Sequence, residues 1–251
     1  MSPACFYDDS VSRPWRSVAA GAVVEGAGLV TAGGAGLLML VPALVAALGY
    51  VGSAAAILSY RRSRRLGAAN LVTLARVIGT CWVIGLTVHA WLWELSGTGL
   101  LLMIVIGVSC LILDGVDGAV ARRRGEASAF GARFDMETDA ALLMSLSLAV
   151  PLLGIAGWWV LAIGLMRYGY VAASWIGPAG LRSALRRPLP YRYSRKVVAV
   201  VQGIALLVAL TLDATGVAAV APMLPTLVLA AALATLCWSF GRDIAWQLRT
   251  H

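Results

Sequence analysis

Residues 114–139 read DGVDGAVARRRGEASAFGARFDMETD and carry four of the eight aspartates in a chain of 251 residues. Long apolar runs flank the stretch on both sides. A carboxylate at the centre of a membrane helix costs roughly 2.5–3.5 kcal/mol on insertion scales, so four acids bordering apolar segments need compensation. Asp114 and Asp117 stand three positions apart, Asp135 and Asp139 four, and both spacings put the pair on one helical face. If the two flanking helices pack antiparallel, the pairs confront each other. Two like charges at 4 Å repel by about 4 kcal/mol at an effective dielectric of 20, which protons or divalent cations would offset. Mg²⁺ and Mn²⁺ prefer oxygen ligands, and the window holds no His or Cys to suit zinc. Magnesium bound by carboxylates commonly takes phosphate as a further ligand, and Arg122 offers a planar cationic fork for phosphate oxygens.

Composition sets the surroundings. The chain is 60% hydrophobic and only 13% charged, with a mean hydropathy of +0.84. This excludes an ordinary soluble domain. Several apolar runs reach the ~20 residues that cross a bilayer. The expected fold is an all-α polytopic membrane bundle with six core transmembrane helices and one or two extra helices before them. The core spans are placed at 71–93, 99–121, 131–154, 157–177, 196–213 and 217–240. Residues 1–59 form a tail and the extra apolar segment, which is interrupted by Glu25 and Pro42; residues 60–251 form the membrane domain.

The net charge of +8 comes almost wholly from arginine, Lys196 being the single lysine. Most of those arginines lie between spans, which points to lipid headgroups and topology rather than nucleic acid. Arg61, Arg62, Arg64 and Arg65 precede the first core span, and Arg122, Arg123 and Arg124 follow the second. Arg182, Arg186, Arg187, Arg192, Arg195 and Lys196 follow the fourth, and Arg242 and Arg249 come last. The connections near 94–98, 155–156 and 214–216 carry no Arg or Lys. Basic loops belong on the cytoplasmic side of a cell membrane, so the acidic stretch is expected to open to the cytoplasm. Trp91, Trp93, Trp158 and Trp159 then mark the outer interface, and Trp175, Trp238 and Trp246 the inner one. Cys5, Cys81, Cys110 and Cys237 are scattered, three of them inside spans, and read as buried thiols.

The acidic stretch follows the pattern D-x-x-D-G-x-x-A-R-x8-G-x3-D-x3-D, with Asp114, Asp117, Gly118, Ala121, Arg122, Gly131, Asp135 and Asp139 at the specified places. It resembles, without a gap, the signature of the CDP-alcohol phosphotransferase family of integral membrane enzymes. The resemblance implies one or, more in keeping with the family, two Mg²⁺ or Mn²⁺ ions on Asp114, Asp117, Asp135 and Asp139. It implies that Asp139 also serves as the general base, taking a proton from an alcohol that attacks the β-phosphorus of a CDP-linked substrate and expels CMP. Gly118, Arg122, Ser128 and Gly131 would line the CDP pocket, with Asn70 and Thr73 of the N-x-x-T at the first core span contributing. The expected donor is CDP-diacylglycerol and the acceptor a hydroxyl compound, in phospholipid synthesis by a homodimer among membrane lipids. The alternative is a soluble CDP-alcohol that gives its phospho-headgroup to a lipid hydroxyl.

Arg133, Arg167, Arg195 and Lys196 are candidates for a phosphorylated acceptor, Arg167 being a lone charge inside an apolar span. Ser194–Gln202 resembles a G-K-x-x-T-x-x-Q element of phosphatidyl-transferring members at Lys196 and Gln202, but Arg195 and Ala199 depart from it. The acceptor is therefore left open. His89, near the outer end of its span, reads as an interfacial residue. Intramembrane prenyltransferases keep their two acidic motifs far apart in sequence, unlike this chain. A cation-coupled transporter should show a repeated motif, and none is present.

Overall fold

The computed structural model describes residues 42–52, 68–124, 129–185 and 193–249, with Ala22 alone before them. Their regular structure is all helical, without a strand among them. The helices are α1 (Pro42–Gly52), α2 (Ala68–Leu92), α3 (Gly97–Arg124), α4 (Ala129–Leu152), α5 (Leu161–Ile176), α6 (Ala179–Leu185), α7 (Tyr193–Ala214), α8 (Val217–Val220) and α9 (Met223–Arg249). A 3₁₀ turn, Trp158–Val160, leads into α5.

Among the described residues, five helical stretches are long and apolar enough to cross a membrane: Leu74–Leu92, Gly97–Gly115, Trp158–Ile176, Ser194–Ala214 and Met223–Arg249. The protein is a multi-pass membrane bundle. The sixth long helix, α4, has 24 residues but carries Arg133, Asp135, Glu137 and Asp139 in its first half. It packs among other helices and is not an apolar span in its own right. The last expected span is also corrected. It begins at Met223 and not at 217, because α8 ends at Val220 and a break precedes α9. Pro225, near the start of α9, suits a first helical turn, where its missing N–H has no partner to lose. Of the extra apolar segment, Ala22 and α1 fall within the described residues, and the 11 positions described for α1 are fewer than a full crossing needs.

Local sequence explains the turns. Ser96 Oγ accepts the Gly99 backbone N–H at 3.1 Å, capping the start of α3. After Pro151, α4 closes with the Ile155 N–H on the Val150 carbonyl and the Gly154 N–H on the Pro151 carbonyl, both at 3.1 Å. That closure puts Gly154 at a φ of +73°, where glycine escapes the penalty of a Cβ.

The core gathers along α2, α3, α4, α7 and α9, where Val83, Met103, Leu146, Val150, Leu206, Leu210 and Leu229 are fully buried. α3 and α4 both pack on α2, while α7 packs on α3, α4 and α9. α1 packs beside the first half of α2, where Ala46 and Tyr50 meet Leu74, Val77 and Cys81, with Phe134 of α4 against them. Hydrogen bonds supplement packing where the hydrophobic effect is weak, between helices in lipid. Thr87 Oγ1 on α2 donates to the Val83 carbonyl at 2.8 Å and to the Ser145 carbonyl of α4 at 3.4 Å. Gln202 on α7 is 1% exposed, and its Nε2 donates to the Ala232 carbonyl at 2.9 Å and to Thr235 Oγ1 at 3.3 Å, both on α9.

Outward faces are apolar, as lipid requires: Leu101, Leu102, Val105, Val108 and Ile112 are exposed along α3. Trp91, Trp93, Trp158 and Trp159 are exposed at one end of the bundle and Trp175 and Trp238 toward the other, which gives both aromatic belts. His89 is corrected: it is 3% exposed, inside the bundle with its ring 5.3 Å from that of Trp93. Cys81 and Cys110 are buried and in no disulfide, whereas Cys237 is exposed on α9.

Candidate active site

Asp114 comes from α3, and Asp135 and Asp139 come one turn apart from α4. One carboxylate oxygen from each lies within 4.8 Å of the others, close enough for all three to hold one metal ion. Their side chains are between 31% and 41% exposed, so the group is open on one side.

The buried side is closed by a residue that the sequence reading overlooked. Arg76 projects from α2 and is 1% exposed. Its Nη1 lies 3.2 Å from Asp114 Oδ1 and also donates to Asp135 Oδ1, while Nη2 donates to Asp139 Oδ1. The two acidic helices therefore meet across α2 instead of packing chiefly on each other, and a guanidinium sits where the carboxylates converge. Protons and divalent ions were the compensation expected from sequence; the fold supplies a third. The signal was available, since Arg76 is a lone charge inside an apolar span, the same argument that singled out Arg167.

Arg167 itself turns elsewhere. Its Nη2 lies 2.5 Å from Glu137 Oε1, in a pair open to solvent. Glu137 is two positions from both Asp135 and Asp139, so it faces the other side of α4. Arg195 Nε donates to Asp243 Oδ2 at 2.7 Å, with Nη2 3.4 Å from Oδ1. Lys196 beside it is exposed. Arg167 and Arg195 thus engage separate carboxylates.

Asp243 opens a polar group at the basic end of the bundle that sequence reasoning missed. Gln247, one turn on, is fully buried; it accepts from Tyr170 Oη at 2.9 Å and donates to the Leu185 carbonyl at 3.2 Å. Arg242 donates to Ser194 Oγ at 2.9 Å and lies 4.7 Å from the Trp238 ring centre. These contacts tie α5, α6, α7 and α9 together.

Ser128 lies outside the described residues, as do the side chains of Asn70, Thr73, Asp117, Arg122 and Arg133. Backbone placement alone sets Asp117, Gly118 and Arg122 one to two turns beyond Asp114 on α3, Gly131 and Arg133 in the first turns of α4, and Asn70 and Thr73 at the start of α2.

Such a bundle, with a carboxylate group at the end of its spans, defines an integral membrane protein with a built acidic site. A family model described as CDP-alcohol phosphatidyltransferase matches residues 66–238. The chain belongs to that family of CDP-alcohol phosphotransferases, and α1 lies before the matched segment. Searches of curated proteins and of solved structures return no significant match.

Proposed function

We propose that the protein transfers a phosphatidyl group from CDP-diacylglycerol to a hydroxyl acceptor, releasing CMP, at the cytoplasmic face of a cell membrane. One observation carries the reading: three motif carboxylates from two helices bring oxygens within 4.8 Å of one another. Family membership supports the reaction class.

The donor set fits hard divalent ions, being all oxygen and part-open. Asp114, Asp135 and Asp139 would hold Mg²⁺ or Mn²⁺, with Asp117 from the next turn of α3 as a further ligand where two ions bind. When bound, such ions offset charge on the pyrophosphate and on the departing CMP. The protein's own groups do the rest. Asp139 accepts the proton of the acceptor hydroxyl as its oxygen bonds to the β-phosphorus and the bond to the CMP oxygen breaks. Arg122, with Gly118, Ser128 and Gly131, binds the CDP moiety, and Asn70 and Thr73 stand at the start of α2 for the nucleotide. Arg133, Arg167, Arg195 and Lys196 are the cations available to a phosphorylated acceptor, which would have to share Arg195 with Asp243. The cytoplasmic orientation rests on the basic loops, and a homodimer on the family resemblance.

The test is incubation of the purified protein in lipid nanodiscs with CDP-diacylglycerol and a panel of alcohols, with products identified by mass. A new phospholipid with stoichiometric CMP supports the proposal. No product from that donor, with turnover from a soluble CDP-alcohol and diacylglycerol, selects the opposite polarity. Cation-coupled solute flux without CMP release would make the protein a transporter.

A further inference from the structure

An arginine buried inside an apolar helix is costly unless its charge is matched, and Arg76 is matched by three acids from two other helices. We propose that Arg76 is a built-in counter-cation: a positioning residue that gathers Asp114, Asp135 and Asp139 and competes with divalent ions for them. The inference rests on the metal-binding reading above and deepens it.

Three features support it. The guanidinium is planar and can donate to two carboxylates at once, and here its Nη1 and Nη2 do so to Asp135 and Asp139. It approaches from the closed side of the group, being 1% exposed, while the carboxylates are open on the other. Its own helix is anchored on both flanks, the Arg76 carbonyl accepting from Cys110 Sγ of α3 at 3.7 Å and Leu74 and Val77 packing in the Tyr50 cluster. The charge is therefore fixed in place. An entering divalent ion meets carboxylates already engaged by a cation, and must share them or displace it. The expected consequence is a site that holds its shape without ions and binds them more weakly than bare carboxylates would.

The experiment measures Mn²⁺ binding by calorimetry, and thermal unfolding with and without chelator, on full-length protein in nanodiscs. Arg76→Gln should bind Mn²⁺ at least about tenfold more tightly, because a unit charge adjacent to the ion is worth more than a decade in affinity. Its melting temperature in chelator should fall, and Mn²⁺ should restore it. Arg76→Lys keeps the charge and loses the fork, so its Mn²⁺ affinity should stay near wild type while its chelated form melts lower. If Arg76→Gln cannot be purified, Arg76→Lys carries the test, and a wild-type melt in chelator overturns the proposal. Unchanged or weaker Mn²⁺ binding by Arg76→Gln also overturns it. Asp114→Asn separates the two readings: wild-type binding that this variant weakens leaves the metal site standing whatever Arg76 does. Absence of Mn²⁺ binding in wild type sinks both.

Discussion

Gly85→Ala should loosen the helix that precedes the family-matched segment. A Cβ on Gly85 would overlap the Pro42 carbonyl oxygen and lie 2.8 and 2.9 Å from the carbonyl carbon and Cα of that residue. These are backbone atoms and cannot rotate aside, so α1 must move away from α2 by something near 1 Å, the shortfall from ordinary contact. Overpacking of this kind costs about 1–3 kcal/mol. Alanine returns up to ~1 kcal/mol through its better helix propensity, so a clash with backbone, at the upper end of that range, leaves a net loss of about 2 kcal/mol. Gly241→Ala is the control, since a Cβ there meets nothing within 4 Å. In thermal unfolding of the protein in nanodiscs, Gly85→Ala should melt several degrees lower, at roughly 2–4 °C per kcal/mol for a chain of this size. Gly241→Ala should match or exceed wild type. The effect should also reach the active site weakly, because Tyr50 of α1 packs in one cluster with Leu74, Val77 and Phe134, neighbours of Arg76 and Asp135. A Gly85→Ala protein as stable as wild type would refute the close seating of α1 on α2 and the link drawn from it.

Asp139→Asn should lower kcat by about 10²–10⁴-fold, the usual worth of a positioned general base, with CDP-lipid binding largely kept; full activity would remove Asp139 from that role. Arg122→Ala should weaken CMP or CDP-lipid affinity by about 10–100-fold, as expected for a lost charge-assisted hydrogen bond, and a variant altered only in expression or melting would assign Arg122 to topology. Arg195→Ala should raise KM for a phosphorylated acceptor by about tenfold, with KM for the CDP donor unchanged. Equal effects on both substrates would instead make the Arg195–Asp243 pair a brace between α7 and α9.

The shared face of Asp135 and Asp139 was legible because a spacing of four sets it before any packing is known. Span order was legible for the same kind of reason, since run length and basic loops depend on the chain alone. Arg76 was not, although it stands in plain view in the first core span. Its role depends on α3 and α4 both leaning on α2, and helix adjacency is a property of packing that no local pattern encodes. The break before Met223 was hidden because Val217–Val220 is as apolar as the helix that follows. His89 looked interfacial by its position along the span, yet its rotation about α2 turns it inward against the bundle. Nothing local singles out Asp243 and Gln247 in the sequence, and the approach of Tyr170 and Arg195 from other helices gives them partners. The pairing of Arg167 with Glu137 was equally invisible, because it needs α5 to lie against the far side of α4.

The decisive measurement is a Mn²⁺ anomalous map of crystals grown with CDP or CDP-lipid. The account predicts a peak between Asp114, Asp135 and Asp139, about 2.1 Å from their oxygens as a six-coordinate divalent ion demands. A map in which the nucleotide is bound, no metal lies among these carboxylates and Arg76 alone bridges them would contradict it.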